Sequence, residues 1–162
     1  MSPLELRPIE LEEVPSIVHL IQRAIERGCR ERYDSAQRQA VFLTCSQELF
    51  SETPGLFESI VAARNDAPVG FAQFDPTTGR LRALFVEGDV QHLGIGTLLL
   101  TEIERRVRLA GGKRLYGAMS LNAVAFYTLA GFRSLGGPER HTCAGVLVPL
   151  VRMEKLLRRE NE

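Results

Sequence analysis

Residues 91–107, QHLGIGTLLLTEIERRV, place two glycines one residue apart at the start of a Leu-rich, charged run that is typical of a helix. Glycine inside a helix costs roughly 0.5 to 1 kcal/mol relative to alanine. At least one of Gly94 and Gly96 is therefore expected to serve a purpose other than helix formation. The segments on either side of this run indicate what that purpose is.

The composition limits the classes of function. The 162 residues fit a single domain, residues 1–162, and 44% hydrophobic with 25% charged residues is ordinary for a soluble globular protein. Neither a membrane-spanning run nor a signal peptide is recognisable, so a cytoplasmic protein without a membrane partner is expected. Twenty basic residues balance twenty acidic ones, which argues against nucleic acid as a partner. The spacing of Cys29, Cys45 and Cys143 fits neither a metal site nor a disulfide framework, and free buried thiols are expected.

The first half of the chain predicts two helices followed by three strands. A short strand, LELRPI, precedes an amphipathic helix that ends at Gly28, and Asp34 or Ser35 is suited to cap a second helix. The segments LFESIVAAR and PVGFAQFD are rich in strand-forming residues and are joined by the turn dipeptide Asn65-Asp66. A third strand, RLRALFV, follows and ends near Val86. These three strands are predicted to form an antiparallel meander.

The second half predicts alternating helices and strands. Gly111-Gly112 ends the helix of the opening stretch, and KRLYGAM reads as a fifth strand. LNAVAFYTLAGF predicts a short helix closed by Gly131, and HTCAGVLVPLVRMEK predicts one or two final strands. The predicted fold class is therefore α/β (α+β), with a mixed, mostly antiparallel central sheet and helices on both faces.

A strand, a short loop and a helix that opens with glycine form an arrangement suited to an anion. The first-turn amides of a helix have no intrahelical acceptors, and the helix dipole places positive charge there. A P-loop is excluded because the loop has no lysine, and a dinucleotide fingerprint is excluded because Leu99 stands where its third glycine belongs. Pyrophosphate binding and simple tight packing around Gly94 and Gly96 both stay open on this pattern alone.

Two motifs together resemble the GNAT superfamily of N-acetyltransferases. Residues 91–96, QHLGIG, match that family's acyl-CoA loop, Q/R-x-x-G-x-G/A, and SLNAVAFYTLAGF, residues 120–132, resembles its second signature. The two motifs occur in the family's order and at its separation, and the predicted element order matches the family fold over nearly the whole chain. The segment CRERYDSAQRQAVF also resembles a bacterial subgroup that acetylates small molecules.

The resemblance implies acetyl-CoA as cosubstrate and a set of residues that bind it. Backbone groups at Phe85 and Val86 would pair with the pantetheine arm. The arm would lie in a gap where the last strand of the meander, ending at Val86, separates from the strand KRLYGAM. Asn122 would bind the cofactor, and Tyr127 would lie near its sulfur. The amides that would hold the pyrophosphate belong to Gln91, His92, Leu93, Gly94, Ile95, Gly96 and Thr97. His92 and Leu93 depart from the family's usual glycine and arginine, so weaker binding at most is expected.

The chemistry of acetyl transfer assigns candidate roles in proton transfer. Tyr127 is the predicted general acid for the departing thiolate, with a core aromatic as the alternative. Glu87 is the first candidate for general base, with a solvated loop charge as the alternative. His141 is a second candidate for the base, and helix capping is an alternative for Asn122. No cysteine is predicted where a covalent acyl intermediate would form.

The sequence thus predicts an N-acetyltransferase that moves the acetyl group of acetyl-CoA to a primary amine of a small molecule, in a ternary complex. Acetylation of a protein N-terminus or lysine, and a non-catalytic acyl-CoA-binding module, are the two alternatives. Apolar residues at positions 147–151 are compatible with a homodimer interface or with a core strand. The identity of the amine depends on walls built by the two N-terminal helices and the last strands.

Overall fold

The computed structural model describes residues 3–50, 56–88 and 94–158. The order of its elements agrees with the predicted order up to the last helix. Three strands follow that helix instead of the predicted one or two, because residues 133–134 form a short additional strand. The helices are α1 (Val14–Gly28), α2 (Ser35–Leu49), α3 (Ile95–Leu109) and α4 (Val124–Leu129). The strands are β1 (Leu4–Arg7), β2 (Glu58–Arg64), β3 (Ala67–Phe74), β4 (Leu81–Val86), β5 (Arg114–Ser120), β6 (Arg133–Ser134), β7 (Glu139–Cys143) and β8 (Val146–Leu156).

The predicted meander is confirmed, and its first turn has a local cause. Asn65 and Asp66 both have positive φ angles, 52° and 63°, which a two-residue hairpin of this twist requires. Asn and Asp tolerate this conformation better than other residues with a Cβ. β2 therefore folds back on β3, and β3 pairs in turn with β4, both in antiparallel register.

Helices cover both faces of the sheet, as predicted. On one face, Ile17 and Ile21 of α1 lie fully buried in one cluster with Phe71 of β3. On the other face, Leu99 and Ile103 of α3 are fully buried in a second cluster. Alternate residues of each strand supply the two clusters because successive side chains of a strand point to opposite faces.

The sheet is built in two halves. β1, β2, β3 and β4 form one antiparallel half in that order, and β5, β8 and β6 form the other, with β7 also paired to β8. β8 carries the apolar residues 147–151: Val148 and Val151 are buried, whereas Leu147 is half exposed. Two of these five positions therefore belong to the core, and a homodimer stays a prediction.

Among the described residues, no helix combines the length and apolar character needed to cross a membrane. Within the same residues, no group of three or more His, Cys, Asp or Glu side chains is arranged to hold a metal ion.

Candidate active site

The two halves of the sheet meet along β4 and β5, and they touch at one end only. Tyr116 donates its backbone N–H to the carbonyl oxygen of Gly79 at 3.0 Å, and Arg80 and Tyr116 form a parallel bridge. A Cβ added at Gly79 would lie 1.8 Å from the backbone oxygen of Arg114, and one at Gly117 would lie 2.8 Å from that of Leu81. Glycine is therefore required where the strands touch.

The other end of the β4–β5 junction is open. In the described part of the chain, no ladder pairing joins residues 84–86 of β4 to residues 118–120 of β5. The two strands separate towards the carboxyl end of each, as parallel strands do when the sheet splits. The gap that the family resemblance implies is therefore present, between β4 and β5.

The pairing of β4 with β3 determines which backbone groups face this gap. Glu87 donates its N–H to the carbonyl oxygen of Val69 at 2.8 Å, and Phe85 lies opposite Phe71 two residues earlier. Hydrogen-bonded and non-hydrogen-bonded pairs alternate along an antiparallel ladder. The N–H and C=O of Phe85 are therefore directed to β3, whereas those of Val86 are directed into the gap. Of the two residues predicted to pair with the pantetheine arm, Val86 is therefore the one whose N–H and C=O face the gap.

A cavity of about 320 Å³ lies beside the open end. Both halves of the sheet contribute to its walls, as do α1 and α2, so the cavity joins the gap to the N-terminal helices. Its lining consists of Ile25, Cys29, Val41, Thr44, Cys45, Glu48, residues 80–85, Ala118, Met119, Ser120, Ala123, Tyr127, His141, Thr142, Cys143 and Leu150. The elements predicted to shape an acceptor site are those that line it.

Tyr127 belongs both to the core and to this cavity. Its ring packs edge-on against Phe126 and Phe132, with centroids 5.1 Å away in each case, and only 5% of the residue is exposed. No hydrogen bond of its hydroxyl with the described residues is found, although buried hydroxyls normally have a partner. Burial raises the pKa of Tyr127 well above its usual range, so the hydroxyl keeps its proton at neutral pH.

The two glycines at the start of α3 serve different structural purposes. Gly94 is the residue before the helix and has a left-handed conformation, φ 77° and ψ 13°, which favours glycine. Among the described residues, no side chain caps the first turn, and a Cβ added at Gly94 would meet nothing within 4 Å. Gly96 is buried, and a Cβ there would lie 3.3 Å from Phe126 Cζ. Gly94 thus opens the turn, while Gly96 lets α3 approach α4.

The other predicted members of the acyl-CoA loop divide into two groups. Ile95 is a core residue with 1% exposure, and Thr97 is exposed on the first turn of α3. Gln91, His92 and Leu93 lie outside the described residues. Three amides of the predicted pyrophosphate site, those of residues 95–97, therefore stand in an uncapped first turn.

Asn122 does not cap α4. It lies within a 3-10 turn, Leu121–Ala123, and the residue that precedes α4 is Ala123. Its side-chain oxygen accepts a hydrogen bond from the thiol of Cys29 at 3.2 Å. It lines a second depression, shared with Gly28 and Arg32, rather than the cavity of Tyr127. The capping alternative is wrong because Asn122 already lies inside the turn.

The two candidates for the general base lie in different surroundings. Glu87 accepts two hydrogen bonds from Arg23 of α1, at 2.9 Å and 2.6 Å, and does not line the Tyr127 cavity. His141 of β7 does line that cavity and shares its wall with Tyr127. The structure therefore brings His141 and Tyr127 together and holds Glu87 in an ion pair outside the cavity wall.

All three cysteines are free, as expected, yet they line the cavity, which the sequence did not predict. Burial raises the pKa of Cys29 to about 11 and that of Cys45 to about 12, and it also raises the pKa of Cys143. Because the thiolate is the nucleophilic form, these thiols are poor nucleophiles at neutral pH. Their positions alone do not make a covalent acyl intermediate favourable.

The polar wall supplied by α2 was also missed. Thr44 and Glu48 line the cavity, and only Ala40 and Leu49 of this helix are buried. The weak apolar periodicity of α2 was the available signal, because a helix with little core contact needs another use for one face.

This structure has a sheet that splits between β4 and β5, a cavity at the split, and beside it a helix, α3, that is preceded by glycine. That is the arrangement of an acyl-CoA N-acyltransferase. A family model for the acetyltransferase (GNAT) domain matches residues 29–157. The chain belongs to the GNAT family, and it is an acetyl-CoA-dependent N-acetyltransferase. No curated protein matches the sequence significantly.

Solved structures share this fold over almost their whole length. A GCN5-related N-acetyltransferase from Rhodopseudomonas palustris has 24% identity and a TM-score of 0.86, covering 97% of this chain and 98% of that chain. The PaiA N-acetyltransferase from Thermoplasma acidophilum, in complex with coenzyme A, has 17% identity and a TM-score of 0.76, covering 96% and 99%. An aminoglycoside 6'-N-acetyltransferase complexed with coenzyme A has 19% identity and a TM-score of 0.62, covering 96% and 98%. At these identities the likeness concerns the fold.

Proposed function

We propose that this enzyme transfers the acetyl group of acetyl-CoA directly to the primary amine of a small molecule, within a ternary complex. The observation that carries this proposal is the cavity of about 320 Å³ at the open end of the β4–β5 gap. Its volume lies within the range of roughly 300 to 1,000 Å³ that is typical of small-molecule sites. Because α1 and α2 cover it, a free small amine fits this site better than a folded protein surface.

Acetyl-CoA supplies the activated acetyl group, and the residues of the open end suit its parts. The outward-facing carbonyl oxygen of Val86 is available to an N–H of the pantetheine arm, as in the pairing of an added strand. The uncapped first turn of α3, with Gly94 before it, suits a pyrophosphate. Two of the solved structures with this fold hold coenzyme A. Roles for Gln91, His92, Leu93, Ile95, Gly96, Thr97, Asn122 and Phe85 stay predictions.

Tyr127 is proposed as the general acid that protonates the departing thiolate. A phenol has a pKa of about 10 and a thiol about 8.5, so complete transfer is uphill by about 1.5 pKa units, or roughly 2 kcal/mol. Burial disfavours both anions and does not remove this difference. The transfer becomes favourable overall because the phenolate recovers a proton from the nitrogen once the C–N bond has formed. Tyr127 therefore acts as a proton donor that is reprotonated within the same turnover.

The backbone N–H of Val86 is proposed to polarise the thioester carbonyl. It is directed into the gap and is not committed to the β3–β4 ladder, as the register of β4 indicates. A fixed donor aimed at a developing oxyanion contributes roughly 2.7 to 4 kcal/mol to transition-state stabilisation. This proposal uses a main-chain group, so it does not depend on which side chains line the acceptor cavity.

The role of Glu87 as general base stays a prediction, and its ion pair with Arg23 affects how it could act. Each oxygen of the carboxylate accepts one hydrogen bond from Arg23, and a proton taken from an amine would weaken this ion pair. Its side chain is 17% exposed, so water can reach it. A role through a bridging water is therefore the form of this prediction that the geometry supports best.

The proposed function is tested by free-thiol release from acetyl-CoA with a panel of small primary amines, each assayed beside a no-amine control. Amine-dependent release, with acetylated amine identified by mass spectrometry, is the expected result. Acetylation of peptides but of no small amine would replace the small molecule by a protein acceptor. Saturable CoA binding without release across the whole panel would favour the binding module instead.

A further inference from the structure

β7 presents three side chains with acid–base or redox chemistry on one face. Glu139, His141 and Cys143 alternate along the strand, so all three point to the same side of the sheet. Cys143 is buried, and both Cys143 and His141 line the cavity that contains Tyr127. His141 is thus an imidazole in the wall of the proposed acceptor site.

A carboxylate is oriented beside this imidazole. Oε2 of Glu139 lies 4.0 Å from Nε2 of His141, and Nε2 is buried without a hydrogen-bond partner among the described residues. The other oxygen of Glu139 accepts two hydrogen bonds from Arg152 of β8, at 3.1 Å and 2.7 Å. Arg152 therefore fixes the carboxylate with its second oxygen turned towards His141.

This arrangement favours one tautomer of the neutral imidazole. A carboxylate near Nε2 stabilises the proton on that nitrogen and leaves the lone pair on Nδ1, the logic by which carboxylates orient histidine bases. At 4.0 Å the effect is one of charge or of a bridging water rather than of a direct hydrogen bond. Once a second proton arrives, the same carboxylate offsets the positive charge of the imidazolium.

We propose that His141 is the general base that accepts a proton from the acceptor amine, and that Glu139 is its positioning residue. This inference rests on the proposed function. His141 and Tyr127 share one cavity, so a single bound amine can lie within reach of both a base and an acid. Glu87, the other candidate, does not line this cavity, and it is held in an ion pair with Arg23.

The protons balance as follows in this scheme. The amine enters as an ammonium ion, and Nδ1 of His141 removes one proton to leave the neutral nucleophile. The C–N bond then forms, the C–S bond breaks, and the thiolate receives a proton from Tyr127. The acylated nitrogen returns its excess proton to the Tyr127 oxygen, and the imidazolium releases its proton to solvent. The products are the amide, the free thiol and one proton.

Other charged or titratable groups share the surroundings of His141. They come from both N-terminal helices, from β4, from the helix after β5 and from β7 and β8: Cys29, Cys45, Glu48, Arg80, Arg82, Tyr127, Glu139, Cys143 and Arg152. Burial raises the pKa values of the three thiols and of Tyr127, so these groups stay protonated and neutral near neutral pH. At about pH 7.5, a loss of rate on removal of His141 is therefore attributable to the imidazole rather than to a thiol or to Tyr127.

The test is the pH dependence of kcat/KM for His141→Gln, with an alkyl amine whose pKa is about 10. In the unsubstituted enzyme the base meets the ammonium form, so kcat/KM is expected to be flat between about pH 7.5 and pH 9.5. In the variant the amine must arrive neutral. Its kcat/KM is expected to fall about 100-fold at pH 7.5 and to rise about tenfold per pH unit.

Matched variants separate chemistry from structure. His19→Gln, at an exposed histidine of α1, should keep the flat profile. Added imidazole should restore part of the activity of His141→Ala, which a merely structural role would not allow. Glu139→Gln should keep its thermal melting temperature within a few degrees and move the acid limb of the profile to lower pH, because the imidazolium loses its neighbouring anion.

Two results would overturn the assignment. If His141→Gln keeps the flat profile and wild-type kcat/KM while Glu87→Gln loses them, the base is Glu87. If His141→Gln and His141→Ala both melt early, an unchanged profile for Glu139→Gln would count against the proposal. An unsubstituted enzyme that acetylates no amine would instead overturn the proposed function, and the assignment of the base with it.

Discussion

The two ends of the β4–β5 junction differ in what their backbone groups do. At the closed end, the backbone N–H of Tyr116 donates to the carbonyl oxygen of Gly79, and glycine is needed because the backbones of the two segments lie so close together. At the open end, the groups of Val86 face a gap, and the residues around them line a cavity. One pair of strands thus holds the two halves of the sheet together and leaves backbone hydrogen-bonding capacity for a ligand.

The contrast extends to the buried tyrosines. The Tyr33 hydroxyl donates to the carbonyl oxygen of Pro149 at 2.6 Å and accepts from the N–H of Leu121 at 2.9 Å. The Tyr127 hydroxyl has no such partner among the described residues, although the residue is equally buried. The Tyr33 hydroxyl thus helps to hold the fold, whereas the Tyr127 hydroxyl is left available to a ligand at the open end.

The largest expected effect is at the closed end. Gly79→Ala would place a Cβ 1.8 Å from the backbone oxygen of Arg114, in a residue with φ 81°. We expect the free energy of unfolding to fall by at least about 3 kcal/mol, measured by urea denaturation. Gly111→Ala is the matched control, because its φ is 86° but nothing lies within 4 Å, and it should cost only about 1 kcal/mol. Equal losses in both variants would show that the closed end is not a steric junction.

The next effect is on catalysis at the open end. Tyr127→Phe should lower kcat about 100-fold, or about 2.7 kcal/mol in the activation barrier, because the thiolate loses its proton donor. CoA affinity by calorimetry and the melting temperature should change little, since no described residue forms a hydrogen bond with the hydroxyl. Tyr116→Phe is the control. A Tyr127→Phe enzyme with normal turnover would reduce Tyr127 to a core aromatic.

Tyr33→Phe should show the opposite behaviour. It leaves the carbonyl of Pro149 and the N–H of Leu121 without their partner, so unfolding should become easier by about 1 to 3 kcal/mol. The kcat per folded molecule should be retained. The comparison of the two tyrosines fails if this variant is as stable as the parent.

The smallest effect lies away from the gap, on α3. Hydrogen bonds from Arg105 and Arg106 lower the pKa of Glu102 to about 2. A depressed pKa in the folded state adds stability above the unfolded pKa of about 4.5, and this stability is lost as the pH falls towards 2. Because these side chains are largely solvated, Glu102→Gln should cost no more than about 1 kcal/mol at pH 7. Urea titrations of both proteins should converge near pH 2.5, and a constant difference would contradict this.

The fold was predictable where local chemistry decides it. Asn65-Asp66 fixed the hairpin, Asp34 caps α2 with Gln37 as its partner, and the positive φ of Gly94 explains why glycine opens α3. The gap between β4 and β5 was predictable only through the family resemblance, because no local pattern says where two parallel strands separate.

The candidate site was predictable in part. The positions of Tyr127 and Val86 beside the gap were predictable. The hydrogen bonds of Cys29 to Asn122, across 93 positions, and of Arg23 to Glu87, across 64, were not. Such partners depend on how the helices pack over the sheet, which periodicity does not encode. The position of His141 beside Glu139 could have been found from strand alternation, but Arg152 and the cavity wall could not.

The central claim is that the open end of the β4–β5 gap is the acyl-CoA site. Amide hydrogen exchange followed by NMR, with and without saturating acetyl-CoA and in the absence of an amine, tests it most directly. The Val86 amide should exchange at least about tenfold more slowly when acetyl-CoA is bound, whereas the Phe85 amide, already hydrogen-bonded to β3, should be unaffected. An unchanged Val86 amide in a protein saturated with acetyl-CoA would contradict the claim.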